Sequence, residues 1–97
     1  MKYTIKQTET FKTWLKTVKD RTAFIAIIRR LERAGNGNFG DAKSINDGVS
    51  EMRVDVGAGY RLYYTIRGNE IVFFLNGGKK STQKSDIKIA KSKAKGI

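Results

Sequence analysis

The stretch Ser50-Glu51-Met52-Arg53-Val54-Asp55-Val56-Gly57-Ala58-Gly59-Tyr60-Arg61-Leu62-Tyr63-Tyr64 constrains the fold more than any other part of the chain. Side chains of a strand alternate between its two faces. On either side of Gly57-Ala58-Gly59 that alternation puts Met52, Val54, Val56, Tyr60, Leu62 and Tyr64 on one face. Glu51, Arg53, Asp55, Arg61 and Tyr63 fall on the other. A hairpin of this kind must bury its oily face, so it calls for a layer of helices against one side of a sheet. A three-residue turn at Gly57-Ala58-Gly59 would pair Val56 with Tyr60, Val54 with Leu62 and Met52 with Tyr64. On the charged face it would pair Asp55 with Arg61 and Arg53 with Tyr63.

The helices are legible upstream. Tyr3 and Ile5 alternate with Lys2, Thr4 and Lys6, which predicts a first strand over residues 2–7. Thr8 or Thr10 can cap a helix whose stripe is Phe11, Trp14, Leu15 and Val18. Asp20 caps a second, with Ala23, Phe24, Ile27, Ile28, Leu31 and Ala34 on one side and Gly35 as the stop. The short spacer makes the pair an antiparallel hairpin. Glycine, asparagine and aspartate crowd residues 35–48 into a loop. Strands follow over 49–56, 60–67 and 70–76, the last two joined by a two-residue turn at Gly68-Asn69, and Gly77-Gly78 ends the sheet. Ser81 or Ser85 opens a last helix with Ile87, Ala90, Ala94 and Ile97 on one face. The expected fold is α+β, in the order β-α-α-β-β-β plus a basic C-terminal helix. An antiparallel sheet packs on the helical hairpin, and residues 1–97 form a single domain.

Composition narrows the chemistry. Twenty Lys and Arg against nine Asp and Glu leave a net charge of +11, which favours nucleic acid, an anionic membrane or an acidic protein as partner. Residues 79–97 hold seven of the lysines and one aspartate. Without cysteine there is no disulfide, thiolate nucleophile or zinc-thiolate site; without histidine the usual general base and metal ligand are gone. The carboxylates show no metal-binding spacing, so neither metal nor other cofactor is expected. No apolar run approaches the roughly 20 residues of a membrane span, and the N-terminus lacks a signal peptide's apolar core. The expected location is the cytoplasm, with no membrane partner.

The charged face can be laid out further. A two-residue turn at Gly68-Asn69 brings Asn76 into the Asp55–Arg61 row and Phe74 into the Arg53–Tyr63 row, with Glu51 beside Thr65. Lys79 and Lys80 then leave the last strand near Arg61, followed by Lys84. Arginine's planar fork fits phosphate oxygens and lysine adds a point charge. Tyr63 and Phe74 offer flat surfaces for unpaired bases. The plainer alternative is that Arg53 and Arg61 are only cross-strand ion-pair partners of Glu51 and Asp55. If there is catalysis, RNA suits this inventory better than DNA. RNA carries its own nucleophile, the 2′-hydroxyl, and oriented cations stabilise the charge that develops on phosphorus. Arginine, with a pKa above about 12, is a poor base, which leaves Glu51, a lysine or no protein group for proton removal.

Three segments carry a resemblance to a known family. They are Asp47-Gly48-Val49-Ser50-Glu51-Met52-Arg53, Gly57-Ala58-Gly59-Tyr60-Arg61-Leu62-Tyr63-Tyr64, and Leu75-Asn76-Gly77-Gly78-Lys79-Lys80-Ser81-Thr82-Gln83-Lys84-Ser85-Asp86-Ile87. With the element order, they make the chain resemble the RelE/ParE toxin superfamily, in its HigB-like, phage Gp49-type branch of addiction-module killer proteins. The resemblance implies a type II toxin that cuts mRNA on the ribosome and is silenced by a cognate antitoxin, a small helix-turn-helix protein. It implies Arg61, Arg53, Lys80 and, less directly, Glu51 as catalytic residues, with Lys79 beside Lys80. Together with the charged-face layout this gives Tyr63, Phe74, Asn76, Lys79, Gln83 and Lys84 as expected RNA contacts. Two other functions fit the same pattern: a ParE-like poison of DNA gyrase, and a non-catalytic nucleic-acid-binding protein acting with its antitoxin as a repressor.

Overall fold

Side-chain caps set the start of each hairpin helix. The Thr8 hydroxyl accepts the Phe11 N–H to begin α1 (Glu9–Lys16), and the Asp20 carboxylate accepts the Ala23 N–H to begin α2 (Arg21–Gly35). In this computed structural model, which describes residues 2–97, β1 (Thr4–Gln7) precedes the hairpin. After it come β2 (Ala42–Ser44), β3 (Val49–Val54), β4 (Tyr60–Arg67) and β5 (Ile71–Lys79). A 3-10 turn over Lys80–Thr82 then leads into α3 (Gln83–Lys95). Among the described residues the strands form one sheet, β1-β5-β4-β3-β2, antiparallel except that β1 runs parallel to β5. The edge strand β2 lies inside the stretch expected to be loop; its three residues pair with Ser50, Glu51 and Met52 of β3. No helix among the described residues is long and apolar enough to cross a membrane.

Both faces of the sheet are covered. On one, Phe11, Leu15, Ala23, Ile27 and Leu31 of the hairpin meet Met52, Val54, Leu62, Tyr64, Val72 and Phe74. On the other, Ala90 and Ala94 of α3 pack on Val49, Tyr63 and Leu75, with Ile87 partly buried beside them. The face expected to carry charges into solvent therefore has an apolar half, and α3 lies on it.

Two connections differ from expectation, and parity decides the consequence of each. The β3–β4 loop takes in residues 55–59, so Val54 pairs with Tyr60, Met52 with Leu62, Arg53 with Arg61 and Glu51 with Tyr63. A slip of two residues leaves every side chain on its expected face. Gly57 and Gly59, at φ 59° and 80°, supply the left-handed turns that tighten this loop. The β4–β5 turn is longer by one residue, with Arg67 opposite Ile71, and an odd slip reverses the face. Phe74 consequently pairs with Tyr64 and packs on Phe11 in the core, with ring centroids 5.5 Å apart. A bulge at Leu75 restores the parity, so that Asn76 lies opposite Tyr63 under α3. The bulge is pegged to the start of α1, since Thr8 donates its N–H to the Phe74 carbonyl and its hydroxyl to the Leu75 carbonyl.

Gly77 and Gly78 do not end the sheet but continue β5. Each admits a side chain from a different layer. A Cβ on Gly77 would lie 2.3 Å from the Trp14 indole, and one on Gly78 would lie 1.9 Å from the Asp86 carboxylate. The close approach of both helical layers to β5 is what requires glycine here.

Candidate functional site

Arg53 of β3 and Arg61 of β4 are direct cross-strand neighbours on the α3 side of the sheet. Two like charges so placed repel, and a buried carboxylate lies between them. Glu51 is fully buried, and its Oε1 is 3.9 Å from Arg53 Nε and 3.8 Å from Arg61 Nε. Its Oε2 accepts a 2.6 Å hydrogen bond from the Gln83 amide at the start of α3. Arg61 is almost buried: its Nη1 donates to the Tyr60 carbonyl and lies 3.5 Å from Asp55, whose side chain is 72% exposed. Arg53 is 39% exposed. The two guanidiniums thus share one surface and one counter-ion. Arg61 has an additional, solvent-exposed partner in the β3–β4 loop.

Of the lysines expected near Arg61, Lys79 is not on the same face: it closes β5 paired with Tyr60, whose side chain belongs to the hairpin side of the sheet. Lys80 opens the 3-10 turn with its N–H on the Gly59 carbonyl, and Lys84 lies in the first turn of α3. All three are exposed.

The aromatic part of the expected platform is not there. Phe74 is fully buried on the opposite face, for the reason of register given above. Tyr63 is on the expected face but fully buried under α3. Asn76 is buried as well; its amide donates to the Asp86 carbonyl and helps hold α3 down. Tyr63 cannot receive a base while α3 is in place, and Phe74 cannot while the hairpin covers it. The missed element was α3 as a cover. Part of its signal was present in the sequence: Val49 and Tyr63 are large apolar groups on the face assigned to solvent, and Ala90 and Ala94 form a narrow stripe that fits them; Leu75 joins them only through the bulge.

Among the described residues, the buried side-chain atoms without a hydrogen-bond partner are Glu51 Oε1, Arg61 Nε, Tyr63 Oη and Asn76 Oδ1. All four belong to this one face. Unsatisfied buried polar atoms are rare in proteins and mark places where packing is not the only demand on the residue. Burial, then the Glu51 carboxylate, pushes the Tyr63 phenol far above its ordinary range, so it stays protonated. Among the described residues no three carboxylates converge in a way that could hold a metal ion. Chemically the site offers two guanidiniums on one face, the exposed Lys80 and Lys84 in the segment that opens α3, and a carboxylate already occupied in holding the two guanidiniums together.

Comparison with known proteins places this geometry. Residues 13–95 match the model of the phage-derived, Gp49-like protein family. An uncharacterised protein of Haemophilus influenzae is 49% identical over 87 residues, covering 90% of this chain and 88% of its own. The fold is similar to that of E. coli toxin RelE, solved in the free state as a double arginine-to-alanine mutant. The TM-score is 0.75 at 16% identity, over 97% of this chain and 98% of that one. It is also similar to a chain of the toxin–antitoxin complex RelBE2 from Mycobacterium tuberculosis. There the TM-score is 0.66 at 21% identity, over 82% of this chain and all of that one.

Proposed function

Because this chain belongs to the family of phage-derived Gp49-like proteins and has the RelE fold, we propose that it is the toxin of a toxin–antitoxin module and that it cleaves mRNA on the ribosome. One fold neighbour is described as a toxin and another comes from a toxin–antitoxin complex, which supports a cognate antitoxin as partner. The observation that carries the nuclease reading is the facing pair Arg53–Arg61 held by a single buried carboxylate.

In the proposed reaction the 2′-hydroxyl oxygen of one nucleotide attacks the adjacent phosphorus. The bond to the 5′-oxygen of the next nucleotide breaks, which leaves a 2′,3′-cyclic phosphate and a 5′-hydroxyl. Arg53 and Arg61 bind the non-bridging oxygens as charge develops on them, the kind of term that dominates many rate enhancements. Asp55 is the partner that gives way. It is exposed, so its ion pair with Arg61 is worth at most about 1 kcal/mol and a phosphate can replace it. Glu51 stays, positioning both guanidiniums. With Gln83 and the two arginines around it, Glu51 is a poor candidate for the base. The 2′-hydroxyl proton passes to water, and the Lys80 ammonium protonates the departing oxygen. In-line geometry comes from the ribosome holding the RNA.

The test is primer extension on a translated mRNA after brief induction of wild type, Arg61→Ala and Arg53→Ala. In-frame cuts with wild type, reduced about 100-fold or more by Arg61→Ala, are expected. Growth arrest that survives Arg61→Ala, without cuts in any strain, would instead indicate a protein target such as gyrase and sink the nuclease.

A further inference from the structure

The helical hairpin and the end of the sheet enclose a cleft of about 300 Å³ that the site above does not use. Trp14 and Tyr60 line it, with ring centroids 6.3 Å apart and planes inclined at 60°. Lys19, Lys79 and Asp20 are also on its wall, all exposed to solvent. In volume it is at the lower end for ligand sites, and it combines aromatic surface with a few polar groups as such sites do.

Three features set this cleft apart from leftover space. First, Trp14 is rigidly seated. The strand backbone at Gly77 carries no Cβ, and the indole fills the position one would take. Second, the charges are ordered. Lys19 and Lys79 are cations, while Asp20 has committed Oδ1 to the Ala23 N–H and can still accept at Oδ2. A carboxylate there repels phosphate but accepts from the amino group of a base, so a nucleotide would enter base first, with phosphates left toward the lysines. Third, the cleft adjoins the arginine site. Tyr60 and Arg61 are successive residues of β4, so their side chains leave opposite faces of the sheet, and Lys79 is the cross-strand partner of Tyr60. A single strand passing around the end of the sheet would meet Arg61 on one side and Trp14 on the other.

We propose that this cleft is a subsite for an unpaired RNA base flanking the bound phosphate, stacked on Trp14, with its neighbouring phosphates on Lys19 and Lys79. The inference rests on the RNA-directed reading above. It also supplies the stacking surface that the burial of Tyr63 and Phe74 removes from the other face.

Trp14 is the single tryptophan of the chain, so its emission reports occupancy directly. The full-length protein is titrated with a fully 2′-O-methylated adenosine trinucleotide, which binds but cannot be cut by 2′-hydroxyl attack. Saturable quenching is expected. Lys19→Ala should weaken binding and lower the slope of log affinity against log salt by about 0.7, the loss of one phosphate contact to a single strand. In Trp14→Leu, followed by anisotropy of the labelled oligonucleotide and checked for folding by circular dichroism, affinity should fall about tenfold. Absence of quenching, quenching of equal depth by inorganic tripolyphosphate, or a Lys19→Ala titration identical to wild type would overturn the subsite. A protein that cuts mRNA without quenching loses the subsite and keeps the nuclease. One that is quenched but leaves mRNA whole keeps the subsite and loses the nuclease.

Discussion

Replacing Glu51 with Gln tests whether the carboxylate holds the arginine pair together. Glu51 Oε1 lies 3.8 Å from Arg61 Nε and 3.9 Å from Arg53 Nε. At an effective dielectric near 20 each pair has a Coulomb energy of about 4 kcal/mol, before the cost of burying the charges is subtracted. Glutamine keeps the shape but leaves Arg61 charged, almost buried and opposite Arg53. The exposed Asp55 returns at most about 1 kcal/mol. The net loss should be about 3 kcal/mol, the low end for breaking a buried pair. For a chain of 97 residues that is a fall in Tm of about 12–24 °C. Arg61→Gln should cost a similar amount, because Glu51 then stays buried with only the half-exposed Arg53. The double variant Glu51→Gln/Arg61→Gln removes both charges and should cost less than the sum of the two by at least about 2 kcal/mol. Urea melts followed by circular dichroism at pH 7 give all three values. Repeating them in high salt should change little, since a buried pair is poorly screened. Additive single losses, or a Glu51→Gln variant within about 0.5 kcal/mol of wild type, would refute the argument that this carboxylate positions the arginines.

Other outcomes follow from the same geometry. Gly77→Ala should destabilise by about 1–3 kcal/mol, because a stiff indole lies 2.3 Å from the new methyl, whereas Gly78→Ala meets a carboxylate that can swing away and should cost less; urea midpoints give the order, and the reverse order would contradict the packing. Thr8→Val should cost about 1–2 kcal/mol in the same assay, since it removes both the α1 cap and the hydroxyl on the bulge carbonyl. The native Tyr63 phenol titrates well above the unfolded value of about 10, so above pH 10 only the unfolded chain releases that proton. Stability should therefore be unaffected by this group below pH 10 and fall by up to about 1.4 kcal/mol per pH unit above it. Tyr63→Phe should flatten that alkaline slope in thermal melts, and an unchanged slope would assign it to other groups.

How much of this was legible in the sequence depended on parity. Arg53, Arg61, Glu51 and Tyr63 share a face as the alternation required, although the pairs are shifted, because the β3–β4 loop gained an even number of residues. The β4–β5 turn gained one, and Phe74 changed face with it. No residue-level pattern in Gly68-Asn69 marks that difference, since both residues take positive φ in the observed turn as they would in the shorter one. The bulge at Leu75 is fixed by Thr8, a contact between residues 67 positions apart that local reading cannot supply. The Gly77-Gly78 pair looked like punctuation because the two side chains that need the space, those of Trp14 and Asp86, belong to distant elements.

The cover over the second face bears on why the cations are arranged as they are. Arg53 and Arg61 lie one residue in from the facing ends of β3 and β4, and Lys80 lies in the turn that leads into α3, so the proposed phosphate site is near the end of the sheet where α3 begins. Further along α3, the stripe Ala90–Ala94 excludes water from Tyr63 and Leu75. At its start the contacts are polar: Gln83 on Glu51, and the Asp86 carbonyl on Asn76. Apolar packing therefore fixes where α3 lies, and the polar contacts decide how its first turn sits against the arginines. A carboxylate at position 51 serves both purposes, because one oxygen takes the α3 contact and the other faces both guanidiniums. A lysine there would lose both contacts and add a third like charge to an already repelling pair. On this argument the acidic residue at the centre of a strongly basic protein is what allows two arginines to remain side by side on neighbouring strands.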